Sequence, residues 1–179
     1  MAADTLKIGS KAPDFNLPAV DSKTYSLNSF DEKKALIIVF SCNHCPYVQA
    51  YEERIKQIQK DYVKDLQVVA INANEDLNYP EDSFEEMKKR SAERQFNFPY
   101  LRDEAQQIAK AYGATHTPEI FLFDKERKLV FYGKIDDNWQ DEKDVRAKYL
   151  RNAIEELLAG KTISVPETFT IGCTIKWKR

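Results

Sequence analysis

Two cysteines stand three positions apart in the stretch Cys42-Asn43-His44-Cys45. That spacing lets two sulfurs lie one helical turn apart and reach disulfide geometry. A buried apolar run precedes the pair and a helical pattern follows it, so the pair belongs at a strand-to-helix junction. A helix start has unpaired N–H groups and partial positive charge, and both favour a thiolate. An ordinary thiol is roughly 3% ionised at pH 7, whereas one shifted to about pKa 7 is half ionised. The thiolate attacks in disulfide exchange, so such a shift feeds into rate. The reading is that Cys42 is the exposed nucleophile, receiving the helix N–H groups, and that Cys45 lies inside the first turn and resolves the mixed disulfide. His44, if protonated, stabilises the reduced thiolate; otherwise it is an exposed polar residue.

A second segment, Ala114-Thr115-His116-Thr117-Pro118-Glu119, lies about 70 residues downstream at a strand start. A cis bond before Pro118 would turn the Thr117 backbone toward the sulfurs and let it pair with an extended substrate. Glu119 is a candidate proton partner for Cys45, the alternative being a solvated strand-end carboxylate. Cys173 is either a third redox thiol able to exchange with Cys42 or a small apolar packing residue. Three cysteines are too few, and odd in number, for a disulfide-stapled domain. A different chemistry stays open: Cys42, Cys45 and His44, with His116 or Cys173, as soft ligands for Zn or Cu(I). Only two of these have motif spacing. A third possibility is a partner-binding domain using the aromatics Tyr47, Trp139 or Trp177.

The elements that must position these groups can be read from periodicity. Leu36–Phe40 is a continuous apolar run, suited to a strand covered on both faces, and Leu66–Ile71, interrupted by Gln67, reads as another buried strand. Val48, Tyr51, Ile55, Ile58 and Tyr62 predict an amphipathic helix of about 17 residues from Pro46. Ser83 with Glu86 reads as a capping box leading into Phe84 and Met87. Asp103 caps a further helix carrying Ala105, Ile108, Ala109 and Tyr112 and stopping at Gly113. Glu119–Phe123 and Leu129–Tyr132 flank a short charged turn and form a hairpin. A last helix carries its apolar face from Val145 to Leu158, and the tail alternates, with Phe169, Ile171 and Ile175 on one side. With 179 residues and no Gly/Ser linker, the chain reads as one domain, 1–179, with 161–179 as a packed C-terminal extension. The order of elements is that of an α/β layered fold with a mixed sheet.

Charge narrows the partners. Lys and Arg number 27 against 29 Asp and Glu, a net charge of −2, which argues against a nucleic-acid binder. The longest apolar run, Ala35–Phe40, is too short to span a bilayer. The first residues lack the basic and apolar regions of an export signal, so a cytoplasmic location is expected.

The strand–CxxC–helix unit, the Thr117-Pro118 step and the hairpin-plus-helix ending resemble the thioredoxin-like superfamily. The lead-in from Gly9 to Pro18 and the segment Tyr25–Phe30 resemble the peroxiredoxin-like redoxin branch, the alkyl hydroperoxide reductase and thiol-specific antioxidant group. Cys42–Val48, Tyr132–Asn138 and Ile171–Trp177 are similar to a redoxin-domain family within it, and the likeness runs from about residue 8 to 177. The resemblance implies a three-layer thioredoxin-like fold with a central mixed sheet, an N-terminal extension and a C-terminal tail. It implies an antioxidant thiol–disulfide oxidoreductase acting through Cys42 and Cys45, with no cofactor. Partners would be protein or small-molecule disulfides and thiols, or peroxides, met by a monomer or weak dimer. Two family features are missing. Typical peroxiredoxins carry Pro and Thr seven and three residues before the peroxidatic cysteine; Ile38 and Cys42, or Ala35 and Val39, stand there. Leu36 occupies the place of thioredoxin's buried Asp. Peroxidase chemistry therefore lacks its usual hydroxyl.

Overall fold

The computed structural model describes residues 4–179; the expectation about an export signal rests partly on residues 1–3, outside the described residues. The central sheet has five strands in the order β5-β4-β3-β7-β8. They are β3 (Ala35–Phe40), β4 (Leu66–Asn72), β5 (Tyr100–Arg102), β7 (Glu119–Phe123) and β8 (Leu129–Gly133). β3 pairs in parallel with β4, and β4 with β5; β7 runs antiparallel to both β3 and β8. The sheet is mixed, as the element order predicts. A short hairpin of β1 (Asn16–Pro18) and β2 (Thr24–Ser26) precedes it.

β3 shows why its run has no polar position. Ala35, Ile37 and Val39 face one core, with Tyr51, Ile55 and Ile58 of α1 (Pro46–Asp61), Met87 of α2 (Phe84–Glu93) and Leu150 and Ile154 of α4 (Tyr149–Leu158). Leu36, Ile38 and Phe40 face the other, with Ala109 and Tyr112 of α3 (Gln107–Tyr112) and Phe15 and Leu17 from the N-terminal segment. The period-2 alternation of a strand sends successive side chains into two apolar layers, so both faces must be hydrophobic. These cores hold the end of β3 rigidly where Cys42 begins.

Several local expectations shift. Ser83 Oγ accepts from the Glu86 N–H at 3.3 Å, but Glu86 pairs outward with Lys89, so only half of the capping box forms. Asp103 accepts the Ala109 N–H at 2.9 Å from ahead of the helix, whose N-cap is Gln106. The last helix starts at Tyr149, and Val145 lies outside it. β5 has no apolar run to betray it, since its third residue is a buried arginine. In the tail only Ile175 is buried; Phe169 and Ile171 are exposed, because the segment is held by backbone hydrogen bonds rather than by an apolar face. Its strand is β9 (Cys173–Thr174), paired antiparallel with β6 (His116–Thr117). Among the described residues, no helix is long and apolar enough to cross a membrane.

Candidate active site

Cys42 follows the carboxyl end of β3, where parallel strands open a crevice. Cys42, Cys45 and Val48 form a small buried cluster against which Tyr47 and Cys173 pack. Both motif sulfurs are buried, so the expectation of an exposed Cys42 is corrected: its residue is only 1% accessible. Cys173 is the one of the three cysteines that is only partly buried.

The helix starts where expected, but Cys45 stands ahead of it and not inside its first turn. Pro46 is the first residue of α1, and Cys45 is its N-cap with φ −73° and ψ 123°. A residue before proline is pushed out of the helical region by the proline ring, so Cys45 cannot lie inside the first turn. Of that turn's donors, the Val48 N–H bears on Cys45. Hydrogen bonding from Cys42 draws the Cys45 thiol down to about 4; burial opposes this, and Cys173 and the Val48 N–H reinforce it. Cys42 is raised, first by that same shared hydrogen bond, then by burial and the nearby Asp82 carboxylate. The two thiols therefore titrate as a coupled pair in which Cys45 is the more acidic. Burial and the Cys45 charge push Cys173 up to about 11.

The second segment comes to the same place. The Thr117–Pro118 peptide is cis. Thr117 Oγ1 lies 3.4 Å from Cys42 Sγ, and the Thr117 carbonyl lies 3.3 Å from Cys45 Sγ. The strand edge of Thr117 is filled by the chain itself, since Cys173 of β9 pairs with it. Cys173 Sγ sits 2.8 Å from Cys45 Sγ. The third cysteine therefore meets Cys45, where the sequence reading placed it with Cys42 or in apolar packing.

Glu119 is buried, not solvated: it accepts the Thr115 and His116 N–H groups at 2.7 and 3.0 Å and the Tyr132 hydroxyl. Those bonds fix the loop ahead of Pro118 and occupy both carboxylate oxygens. His116 turns its Nδ1 to Thr115 Oγ1 at 2.8 Å. Tyr47 and Trp139 lie against each other, ring centroids 4.4 Å apart, and are half-buried; Trp177 is exposed.

The sequence reading missed Asp82. It is fully buried in the loop ahead of α2. Its Oδ1 accepts the Asn43 N–H at 2.6 Å, and its Oδ2 accepts Asn74 Nδ2 at 2.9 Å and pairs with His44 Nδ1. Asn43 Oδ1 accepts the Tyr100 hydroxyl at 2.9 Å, and Asn72 Nδ2 reaches both Tyr100 and Asp82. This network clamps the two residues between the cysteines. Ligand atoms of Cys42, His44 and Asp82 lie within 4.8 Å of one another, the set best placed to hold a soft or borderline metal.

Thr117→Val keeps the shape beside Cys42 and removes the hydroxyl that lowers it. Losing one hydrogen bond of about 1 kcal/mol, roughly fivefold in rate, is the expected effect on disulfide exchange. Stopped-flow exchange rates with an unchanged melting temperature would check this.

The chain matches the Redoxin family over residues 7–149. It belongs to that family. Among curated relatives, the thiol-disulfide oxidoreductase ResA of Bacillus thuringiensis subsp. konkukian is 25% identical over 130 residues, covering 71% of this chain and 69% of the relative. A crystal structure of a hypothetical protein from Sinorhizobium meliloti 1021 is 38% identical, with a TM-score of 0.92 and coverage of 98% and 97% of the two chains. The thioredoxin domain of a thiol-disulfide oxidoreductase from Bacteroides vulgatus shares the fold, with a TM-score of 0.66, 19% identity and coverage of 85% and 98%. The fold expected from the motifs is thus the one found: a thioredoxin-like redoxin domain with its CxxC at Cys42 and Cys45.

Proposed function

We propose that this redoxin is a thiol–disulfide oxidoreductase whose working pair is Cys42 and Cys45. The observation that carries the reading is the placement of two buried sulfurs at one helix start, both set against Thr117. Cys42 attacks a substrate disulfide and passes its proton to the Cys45 thiolate. One substrate sulfur departs and takes up that proton. Cys45, again a thiolate, attacks Cys42 Sγ, forming the Cys42–Cys45 disulfide and releasing the second substrate sulfur as a thiolate. Two electrons pass from the protein dithiol to the substrate, and each S–S bond broken is matched by one formed. Asp82 and His44 hold the intervening backbone in place; Thr117 orients Cys42.

Peroxide is the second substrate class to test, because the Thr117 hydroxyl supplies at Cys42 what the sequence lacks three residues before it. Among the described residues, no arginine or lysine is hydrogen-bonded to a sulfur, so peroxide polarisation has one support where a peroxidase uses more. We therefore rank disulfide exchange first. The test equilibrates the protein with glutathione redox buffers, maps the disulfide by mass spectrometry, and follows peroxide consumption in parallel. A reversible Cys42–Cys45 disulfide with slow peroxide turnover is expected. Failure to form that disulfide overturns the reading, and stoichiometric zinc or copper in the reduced protein would favour a metal-binding role.

A further inference from the structure

Cys45 lies under cover. Cys42 is on one side, the Thr117 carbonyl on another, and Cys173 on a third. Cys42 and Cys45 are both buried, whereas Cys173 is only partly so, and it offers an external thiol a second way to the pair beside the one a substrate disulfide takes to Cys42.

The segment carrying Cys173 is held in place on both sides. Upstream, the Tyr132 N–H donates to the Pro166 carbonyl at 2.9 Å and the Thr168 N–H to the Tyr132 carbonyl at 3.0 Å. Downstream, the Ile175 N–H donates to the Thr115 carbonyl and the Lys176 N–H to Asn74 Oδ1, both at 2.9 Å, while Ile175 is buried in the core. Between these anchors β9 pairs with Thr117 in antiparallel register. Gly172 makes that approach possible: a Cβ there would stand 2.1 Å from the Thr117 carbonyl oxygen, a backbone atom that cannot swing aside. A sulfur held 2.8 Å from another by two anchored backbones is a positioned reaction partner.

We propose that Cys173 is a third redox-active residue of this centre, exchanging with Cys45 and relaying electrons between external thiols and the buried pair. The inference rests on the function proposed above. In the oxidised protein the Cys173 sulfur, as thiolate, attacks Cys45 Sγ of the Cys42–Cys45 disulfide. The Cys45–Cys173 bond forms, the Cys42–Cys45 bond breaks, and Cys42 leaves as a thiolate that takes the proton given up by Cys173. No net oxidation occurs in this step. A low-molecular-weight thiol such as glutathione then attacks Cys173 at the surface and expels Cys45 as thiolate. A second thiol attacks the resulting mixed disulfide, releases Cys173 as a thiol, and leaves as the oxidised disulfide. The sum is two thiols oxidised and one protein disulfide reduced. The acidic Cys45 is a good leaving group for the second step.

The test uses the full chain in four forms: wild type, Cys42→Ser, Cys173→Ser and Gly172→Ala. Oxidised with diamide, Cys42→Ser should close an intramolecular Cys45–Cys173 disulfide, seen by peptide mapping under acid quench. Oxidised Cys173→Ser should keep its Cys42–Cys45 disulfide but be reduced by glutathione about tenfold or more slowly than wild type, because the partly buried entry thiol is gone. Gly172→Ala retains the thiol but moves its backbone, and should slow reduction in the same direction; far-UV circular dichroism checks that the fold is kept. Equal reduction rates in wild type and Cys173→Ser, or no Cys45–Cys173 disulfide in oxidised Cys42→Ser, overturn the relay and leave the Cys42–Cys45 reading standing. Absence of the Cys42–Cys45 disulfide in Cys173→Ser overturns both.

Discussion

Cys45→Ser should lower disulfide turnover on the order of 10³-fold while leaving one product trapped, a mixed disulfide at Cys42. Two losses combine. The thiolate that takes the proton from Cys42 is gone, and so is the sulfur that resolves the mixed disulfide. Cys173 is not expected to rescue, because its pairing with Thr117 holds it beside position 45. Mass spectrometry after a single turnover with glutathione disulfide should show the adduct on Cys42. A variant that still forms an intramolecular disulfide with Cys42 at the wild-type rate would refute the assignment of Cys45 as resolving thiol.

The same variant carries a pH signature. Cys45 is lowered from the ordinary value of 9.0 to about 4, so reduced wild type should keep thiolate absorbance at 240 nm down to about pH 4, and Cys45→Ser should lose that acid-stable component. The sign follows from the depressed value. The thiolate stabilises the folded reduced protein fully above the unfolded thiol range, progressively less as pH falls, and no longer below about 4. The disulfide form has no such contribution. Hence, between about pH 4 and 8, reduction takes up one proton per two electrons, and the potential should fall by about 30 mV per pH unit instead of about 59 mV. A slope near the larger value across neutral pH would show that no thiolate is held.

Parts of this site were legible before the structure, and others were not, for identifiable reasons. β3, β4 and β7 are largely buried on both faces, so their apolar runs are conspicuous, broken only by Gln67 and Asn72 in β4 and by Glu119 at the head of β7. The pairing of the CxxC with Thr117-Pro118 followed from motif order. The place of Cys45 as N-cap was also written in the sequence, in the proline that follows it, but the helix-dipole argument was attached to Cys42. Asp82 was out of reach. Its meaning depends on Asn43 and His44 from the turn before α1 converging with Asn72 and Asn74 at the end of β4, and a lone acid before a serine cap looks like first-turn charge. Cys173 was ambiguous because its neighbours alternate like a strand with an apolar face, whereas the segment is held by its backbone and by one buried isoleucine.

Asp82→Ala should be the most damaging substitution outside the sulfurs, and its two effects should run in opposite directions. Removing the carboxylate strands the Asn43 N–H and the Asn74 amide without an acceptor and takes away the partner of His44. Loss of a buried, multiply bonded carboxylate is expected to cost about 3 kcal/mol or more, lowering the melting temperature by roughly 6–12 °C for a chain of this size. His44 reaches solvent, so the larger share of that loss comes from the two amides rather than from the ion pair. At the same time Cys42 is freed from a neighbouring negative charge that raises it. Its thiol should ionise more readily, and alkylation of Cys42 by iodoacetamide at pH 7 should speed up even as the fold weakens. Asp82→Asn separates the two effects: it removes the charge and keeps one acceptor, so stability should fall less while the gain in Cys42 reactivity persists. Slower Cys42 alkylation in a folded Asp82→Asn protein would mean that Asp82 acts on Cys42 by holding the Asn43–His44 turn in place and that its charge is secondary.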